Sequence, residues 1–335
     1  MKSTIALRAR GKKQNLVWSL AAILLLLNSC VKEITLEQQK HSIFPVMNGL
    51  FYVGEPSSVF RLSYTSNPFS PSVPYPEGAQ VFFYKNGELA GSTQPQAQGY
   101  CTIPANFQGT GEVLSVVAVL PEGDTLRAND TIPARSFIVS ADFGDAGIMD
   151  EYGDIIYKLS VRFKDTPNEK NYYELFVFQW SSLLPSDSSA YSLYNFLYQP
   201  NPVLSNEGDQ DFEPYTMYFS DDLLEGEGET TFFEQHFISS VNSSRLKPGT
   251  PFGVAEPGTY LVFRNISEAH YQFLKSWTRH RYTQKIGQGL ANLNDAVLED
   301  YEKVIFAPDP LPMYSNIENG LGVFVGANSQ IIKLQ

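Results

Sequence analysis

The stretch GAQVFFYKNGE (78–88) decides how the chain is read. Its β-branched and aromatic run favours a strand over a helix, and Asn86-Gly87 supplies the two residues that tolerate positive φ in a type I′ hairpin turn. Working outward, SIFPVMNGLFYV (42–53), SSVFRLSYT (57–65), GYCTIPA (99–105) and GEVLSVVAVLPEGDTL (111–126) repeat the pattern of short apolar runs separated by Gly, Pro, Asn and Ser, with a second turn at Glu122-Gly123-Asp124. Strands and turns recurring over about 100 residues without an intervening helix predict a small antiparallel β-sandwich, placed at residues 41–138.

Small and acidic residues in SADFGDAGIMDEYGD (140–154) then break the pattern and predict a joint between two domains. The second, residues 154–335, opens on IIYKLSVRF (155–163) and NYYELFVFQW (171–180), with Thr166-Pro167-Asn168 as the turn between them. One helix is expected near 267–286. Ser267 is its N-cap after the strand TYLVFRNI (259–266), Glu268 suits the positive end of the helix dipole, and Tyr271, Leu274 and Trp277 share a face. Arg279, His280, Arg281 and Lys285 lie toward the other end, so an amphipathic helix docked on a sheet is predicted. Three prolines in APDPLPMYSNIENGLGVFVG (307–326) force an extended approach, and Asn319-Gly320 allows a tight turn before a last strand. The fold class expected is mainly β: an immunoglobulin-like N-terminal sandwich followed by a second β-rich domain carrying one amphipathic helix.

The first residues give an address. Lys2, Arg8, Arg10, Lys12 and Lys13 precede the apolar stretch Leu16–Leu27, which is shorter than the roughly 20 residues a membrane span needs. Leu27-Asn28-Ser29-Cys30 resembles a bacterial lipobox, in which the cysteine thiol is acylated and becomes the first mature residue. Residues 1–29 therefore read as a lipoprotein signal peptide and Cys30 as the lipid-attachment site. VKEITLEQQK (31–40) reads as a polar tether within the 30–40 segment. More than one acyl chain anchors stably, at about 0.8 kcal/mol per buried methylene.

The chain carries 24 basic and 36 acidic residues; cleavage of the leader leaves 19 basic residues against 36, a net charge of −17. That balance argues against nucleic acid or an anionic membrane surface as partner. With Cys30 committed to lipid, Cys101 stands alone and reads as a buried apolar side chain.

Several segments resemble one family in order: the lipobox, NGLFYVGEPSSVFRLSYT (48–65), GAQVFFYKNGE, LRANDTIPA (126–134), VRFKDTPNEKNYYELFV (161–177), YLVFRNISEAHYQFLKSW (260–277) and MYSNIENGLGVF (313–324). The chain is similar to domain of unknown function 4249, a group of Bacteroidota lipoproteins. The resemblance implies an immunoglobulin-like N-terminal domain, an outer-membrane lipoprotein and frequent company with TonB-dependent transporters. It implies no established activity and no catalytic residues. Lys32-Glu33 resembles the charged signals that send such lipoproteins to the cell exterior, so a surface-facing outer-membrane anchor is expected.

Catalytic motifs are missing from the sequence: no His-Glu-x-x-His, Gly-x-Ser-x-Gly, P-loop or dinucleotide-binding glycine pattern occurs. His41 and His236 stand alone in sequence, and His270 and His280, about 15 Å apart along one helix and facing different ways, cannot share a metal. Acids cluster at Asp142, Asp145, Asp150, Glu151 and Asp154, and at Glu207, Asp209, Asp211 and Glu213, without EF-hand spacing, and read as solvated loops. No metal and no cofactor is expected. Tyr191, Tyr194, Tyr198, Tyr215 and Tyr218 offer amphipathic rings that suit either a ligand-binding surface or a β-rich core. Asp124-Thr125-Leu126 and Asp130-Thr131-Ile132 resemble short O-glycosylation acceptors, which would modify Thr125 and Thr131.

The role expected is non-catalytic: a binding or accessory component beside an outer-membrane transporter. A structural or adhesive surface protein is the alternative, with a hydrolase third.

Overall fold

The computed structural model describes residues 43–54, 57–66, 72–104, 109–164, 169–181, 190–196, 201–209, 212, 214–224, 230–242, 256–289 and 311–334. Cys30 with its leader and tether, His41, Tyr198, Asp211, Glu213 and the turn at 166–168 lie outside the described residues.

Seven strands come first: β1 (Pro45–Tyr52), β2 (Ser57–Tyr64), β3 (Gln80–Lys85), β4 (Glu88–Thr93), β5 (Tyr100–Pro104), β6 (Val113–Val119) and β7 (Thr125–Thr131). Asn86 and Gly87 take φ of 51° and 83°, closing the β3–β4 hairpin as its sequence requires. Alternation sets the faces: in β6, Leu114, Val116 and Ala118 point inward between more exposed neighbours.

The second half adds β8 (Phe137–Met149), β9 (Ile155–Lys164), β10 (Tyr172–Ser181), β11 (Ala190–Phe196), the short helix α1 (Pro202–Glu207), β12 (Met217–Ser220), β13 (Thr230–Asn242), β14 (Gly258–Ile266), the long helix α2 (Glu268–Gly289) and β15 (Leu321–Leu334). The protein is mainly β, as expected. SADFGDAGIMDEYGD does not form a joint. Phe137–Met149 is strand β8, paired with β9 from Phe137↔Lys164 to Met149↔Ile155 with two register irregularities. Asp150 then closes the turn, its Oδ1 accepting the backbone N–H groups of Tyr152 and Asp154 at 2.9 and 2.8 Å.

Among the described residues β4-β3-β6-β7 form one sheet, and eleven strands form another in the order β5-β2-β1-β15-β14-β10-β11-β13-β9-β8, with β12 also on β10. The larger sheet crosses the expected domain boundary through β15. Residues 321–327 run parallel to β1 (Val46↔Leu321 to Tyr52↔Ala327), and residues 327–334 run antiparallel to β14 (Ile266↔Ala327 to Thr259↔Leu334). The sandwich is thus completed by a strand from outside 41–138. Its core shows this in three rings: Phe324 of β15 lies 4.5 Å from Phe51 of β1, and Phe83 of β3 lies 6.1 Å from Phe324 and 5.7 Å from Phe51. All three are fully buried, each contributing about 1.5–3 kcal/mol. Cys101 is buried in the same core, where burial pushes its thiol up to about 12.

Beyond β15 the sheet continues through β14 and β10 to β8. Ser136, just before β8, donates its N–H to Asn265 Oδ1 at 3.0 Å, and its carbonyl accepts the Gln330 amide. A second core, with Leu159, Phe163, Tyr173, Phe233, Leu261 and Phe263, fills one face of this part of the sheet. The opposite face of β10 and β14 carries Phe176, Phe178, Tyr260 and Val262. Both faces of these central strands are covered, which is why Tyr260-Leu261-Val262-Phe263 reads as an unbroken apolar run.

Candidate ligand-binding groove

Four separate segments meet at an open groove of about 1100 Å³: the end of β7, residues 170–172 at the start of β10, the first turn of α2, and residues 314–318 ahead of β15. Each wall is fixed by its own chemistry. Ser267 Oγ accepts the His270 N–H at 3.2 Å, starting α2 where its sequence predicts. The 314–318 segment is held from three sides. Tyr314 N–H donates to Ser276 Oγ at 2.8 Å, the Asn316 amide exchanges hydrogen bonds with the Phe324 backbone at 2.7 and 2.9 Å, and Glu318 pairs with the Arg127 backbone of β7. Tyr172 stacks on Tyr271 at 4.6 Å, while Lys170 ion-pairs with Asp222 at 2.9 Å.

Three carboxylates, Asp130, Glu268 and Glu318, face one amine, Lys170. Burial raises the Asp130 carboxyl to about 6, partly opposed by the N–H of Gly326, Ser267 and the N–H of Thr131. Burial first, then Asp130 and Glu268, raise the Tyr314 hydroxyl, and Glu268 contributes likewise at Tyr172. Glu268 thus sits within electrostatic reach of both rings. A carboxyl that titrates near neutrality beside a second carboxylate fits acid–base chemistry, but Asp130 Oδ2 is taken up by the Gly326 N–H at 2.7 Å, where it ties β7 to β15.

The residues singled out in the sequence are dispersed. Tyr194 packs against the second core, its ring 5.2 Å from Phe143 and 5.9 Å from Tyr157. Tyr218 is buried under α2 and donates to Asp209 Oδ2 at 3.2 Å. Tyr215 is 43% exposed, with the Arg281 guanidinium 3.7 Å from its ring centre and Trp277 beside it. Tyr191 sits on β11 in register with Trp180. Tyr194, Tyr215 and Tyr218 do not build one surface. Thr131 is exposed at the groove, while Thr125 is half-buried and its carbonyl accepts the Asn319 amide at 3.0 Å.

Helix α2 is fastened by buried charge as well as by Tyr271 and Leu274. Asn201 caps α1 by accepting Val203 and Leu204 N–H at 2.9 and 3.2 Å, and Gly208 (φ 68°) ends it. That turn delivers Glu207 and Asp209 to α2. Lys275 Nζ reaches Glu207 Oε2 at 2.9 Å and Asp209 Oδ2 at 3.5 Å, and Arg279 Nε reaches Asp209 Oδ1 at 2.6 Å. The sequence reading of these two acids as solvated is therefore corrected, because their partners stand some 70 residues downstream on a helix. His270, also buried, lies near Glu174 and Arg264; its Nδ1 finds no hydrogen-bond partner among the described residues. No cluster of three or more metal-ligating residues occurs among the described residues, and no helix there is long and apolar enough to cross a membrane.

No curated protein matches the chain. A solved structure from Corynebacterium diphtheriae, named as a membrane anchored protein, is 9% identical with a TM-score of 0.20; the match covers 67% of this chain and 54% of that one. The chain thus spans about half the length of that protein, and so loose a superposition carries no argument. A family model described as Domain of unknown function (DUF4249) matches residues 31–331. The order of segments from residue 48 to 324 and that match agree, and the chain belongs to the DUF4249 family.

Proposed function

We propose that the protein is a non-catalytic capture component, anchored to the outer membrane through acylated Cys30, facing the cell surface and working beside a TonB-dependent transporter. The observation that supports this reading is the groove. It is large, and Glu268, Gln272, Asn129 and Thr131 line it without a side-chain hydrogen bond among the described residues. Such groups remain available to a ligand.

Gentle detergent extraction, affinity capture of the native lipoprotein and mass spectrometry of what accompanies it test the proposal. Stoichiometric recovery of a transporter is expected. Recovery of the lipoprotein alone, under conditions that keep known transporter complexes together, would refute the accessory role.

A second reading, an adhesive surface protein, draws support from the β8–β9 hairpin. Ile148, Met149 and Tyr152 there are 47, 67 and 84% exposed, an apolar tip that suits a protein partner. Loss of cell adhesion on replacing all three with Ser, with transporter recovery unchanged, would favour it.

A further inference from the structure

We infer that the groove takes a hydroxyl-rich ligand without negative charge, an oligosaccharide of neutral or amine-bearing units. The inference rests on the capture reading above and names the ligand class of the same site.

Charge excludes one class. Asp130, Glu268 and Glu318 outnumber Lys170, and Lys170 is already paired with Asp222 at 2.9 and 3.1 Å. A phosphate, sulfate or uronate entering here meets like charges with no free cation among the lining residues to offset them. Polarity excludes another. The aliphatic lining consists of Ala128, Pro133, Ile266 and Ala269, and Ile266 is itself 1% exposed, so an acyl chain or apolar peptide would find little area to bury.

What remains matches a sugar. Tyr172 is pinned by its stack on Tyr271, and a pre-set ring costs little entropy when it receives the C–H face of a pyranose. Glu268 and Gln272 stand one helical turn apart on α2, so a carboxylate and an amide present acceptors and a donor side by side to adjacent hydroxyls. Asn129 and Thr131 of β7 line the same groove. A groove of about 1100 Å³, open along its length, accommodates an oligomer rather than a single ring. An amine on the ligand would gain further from the three carboxylates.

The test is a glycan array carrying neutral, amine-bearing, uronate and sulfated oligosaccharides, probed with the full lipidated protein in detergent. Signal is expected on neutral or amine-bearing members, weakened at least tenfold by Gln272→Ala and unchanged by Tyr215→Ala, which lies outside the groove. Gln272 is partly exposed and engaged by no side chain among the described residues, so its replacement leaves the fold intact, which an unchanged melting temperature would verify. Signal confined to uronates or sulfates, signal insensitive to Gln272→Ala, or a blank array would overturn the inference. A blank array alongside recovery of a transporter sinks the ligand class alone; loss of both sinks the capture reading as well.

Discussion

Glu174 and Arg264 face each other in register across β10 and β14, and Arg264 Nη1 donates to Glu174 Oε2 at 2.7 Å with both side chains less than 10% exposed. Burial opposes ionisation of Glu174 most strongly, but the charge of Arg264, with that of His270 and the hydrogen bonds from Arg264 and Thr216, together outweigh it and hold the carboxyl below its usual range. The pair sits where α2 crosses the sheet, between the Tyr52 and Phe176 rings that flank the guanidinium at 4.8 and 5.0 Å.

Breaking that pair strands a buried charge. Arg264→Met is expected to lower stability by about 3–5 kcal/mol in urea unfolding, and Glu174→Leu added to it should recover most of the loss, because two apolar side chains leave no charge to desolvate. A double variant no more stable than Arg264→Met would show that the loss lies in packing instead.

His270 and Asp130 act on pH dependence in opposite senses. Burial, partly countered by Glu174, holds His270 at about 4, below its unfolded value of roughly 6.5. Between those values the unfolded chain binds the extra proton, so this contribution is lost as pH falls through the window. Asp130, raised to about 6 from an unfolded value near 3.9, binds its proton more tightly when folded, and its contribution is lost as pH rises through that range. Asp130→Asn should therefore expose the histidine slope: stability of the variant falls more steeply than wild type between pH 6.5 and 4.5, by on the order of 1–2 kcal/mol. Chemical unfolding at pH 4.5, 5.5 and 7 checks this, and parallel profiles would contradict it.

Gly322 permits the parallel pairing of β15 with β1. Its φ is 110°, and a Cβ there would lie 2.2 Å from the Met47 carbonyl oxygen and 2.8 Å from Asn48 Oδ1. Gly322→Ala should cost roughly 2–3 kcal/mol, since both the dihedral and the contact are unfavourable. Gly54 (φ 89°), with nothing within 4 Å, carries only the dihedral penalty, so Gly54→Ala should cost about 1 kcal/mol. Equal losses would remove the steric argument.

Lys275 neutralises two buried acids at once, so Lys275→Met should destabilise by about 2–4 kcal/mol and loosen α2. Hydrogen exchange of the α2 amides is the direct readout: faster exchange confined to that helix and to α1 is expected, and uniform protection equal to wild type would refute it.

Local signals were legible where local chemistry decides. Asn86-Gly87 makes a tight turn whatever surrounds it, the alternation of Leu114, Val116 and Ala118 specifies an inward face, and Ser267 begins a helix through its own hydroxyl. Strand β8 was obscured because an edge strand buries only one face, here Ile138, Ala141 and Phe143, and its register irregularities break the alternation. Glu207 and Asp209 resemble a solvated loop until Lys275 and Arg279 arrive from a distant helix. The groove was not legible as a site, since Asp130, Tyr172, Glu268 and Tyr314 come from four segments and none carries a motif. That β15 would serve both halves was equally hidden, because periodicity gives a strand its faces but not its neighbours.

The double service of β15 sets an order of assembly. Residues 321–334 leave the ribosome after every other described strand, yet Phe324 completes the core built on Phe51 and Phe83, and Leu334 closes onto the core around Phe263. A chain stalled before residue 321 can finish neither half, so both cores wait for residues 321–334. Contacts joining residues nearly 280 positions apart, such as Val46 with Leu321, make that final step slow.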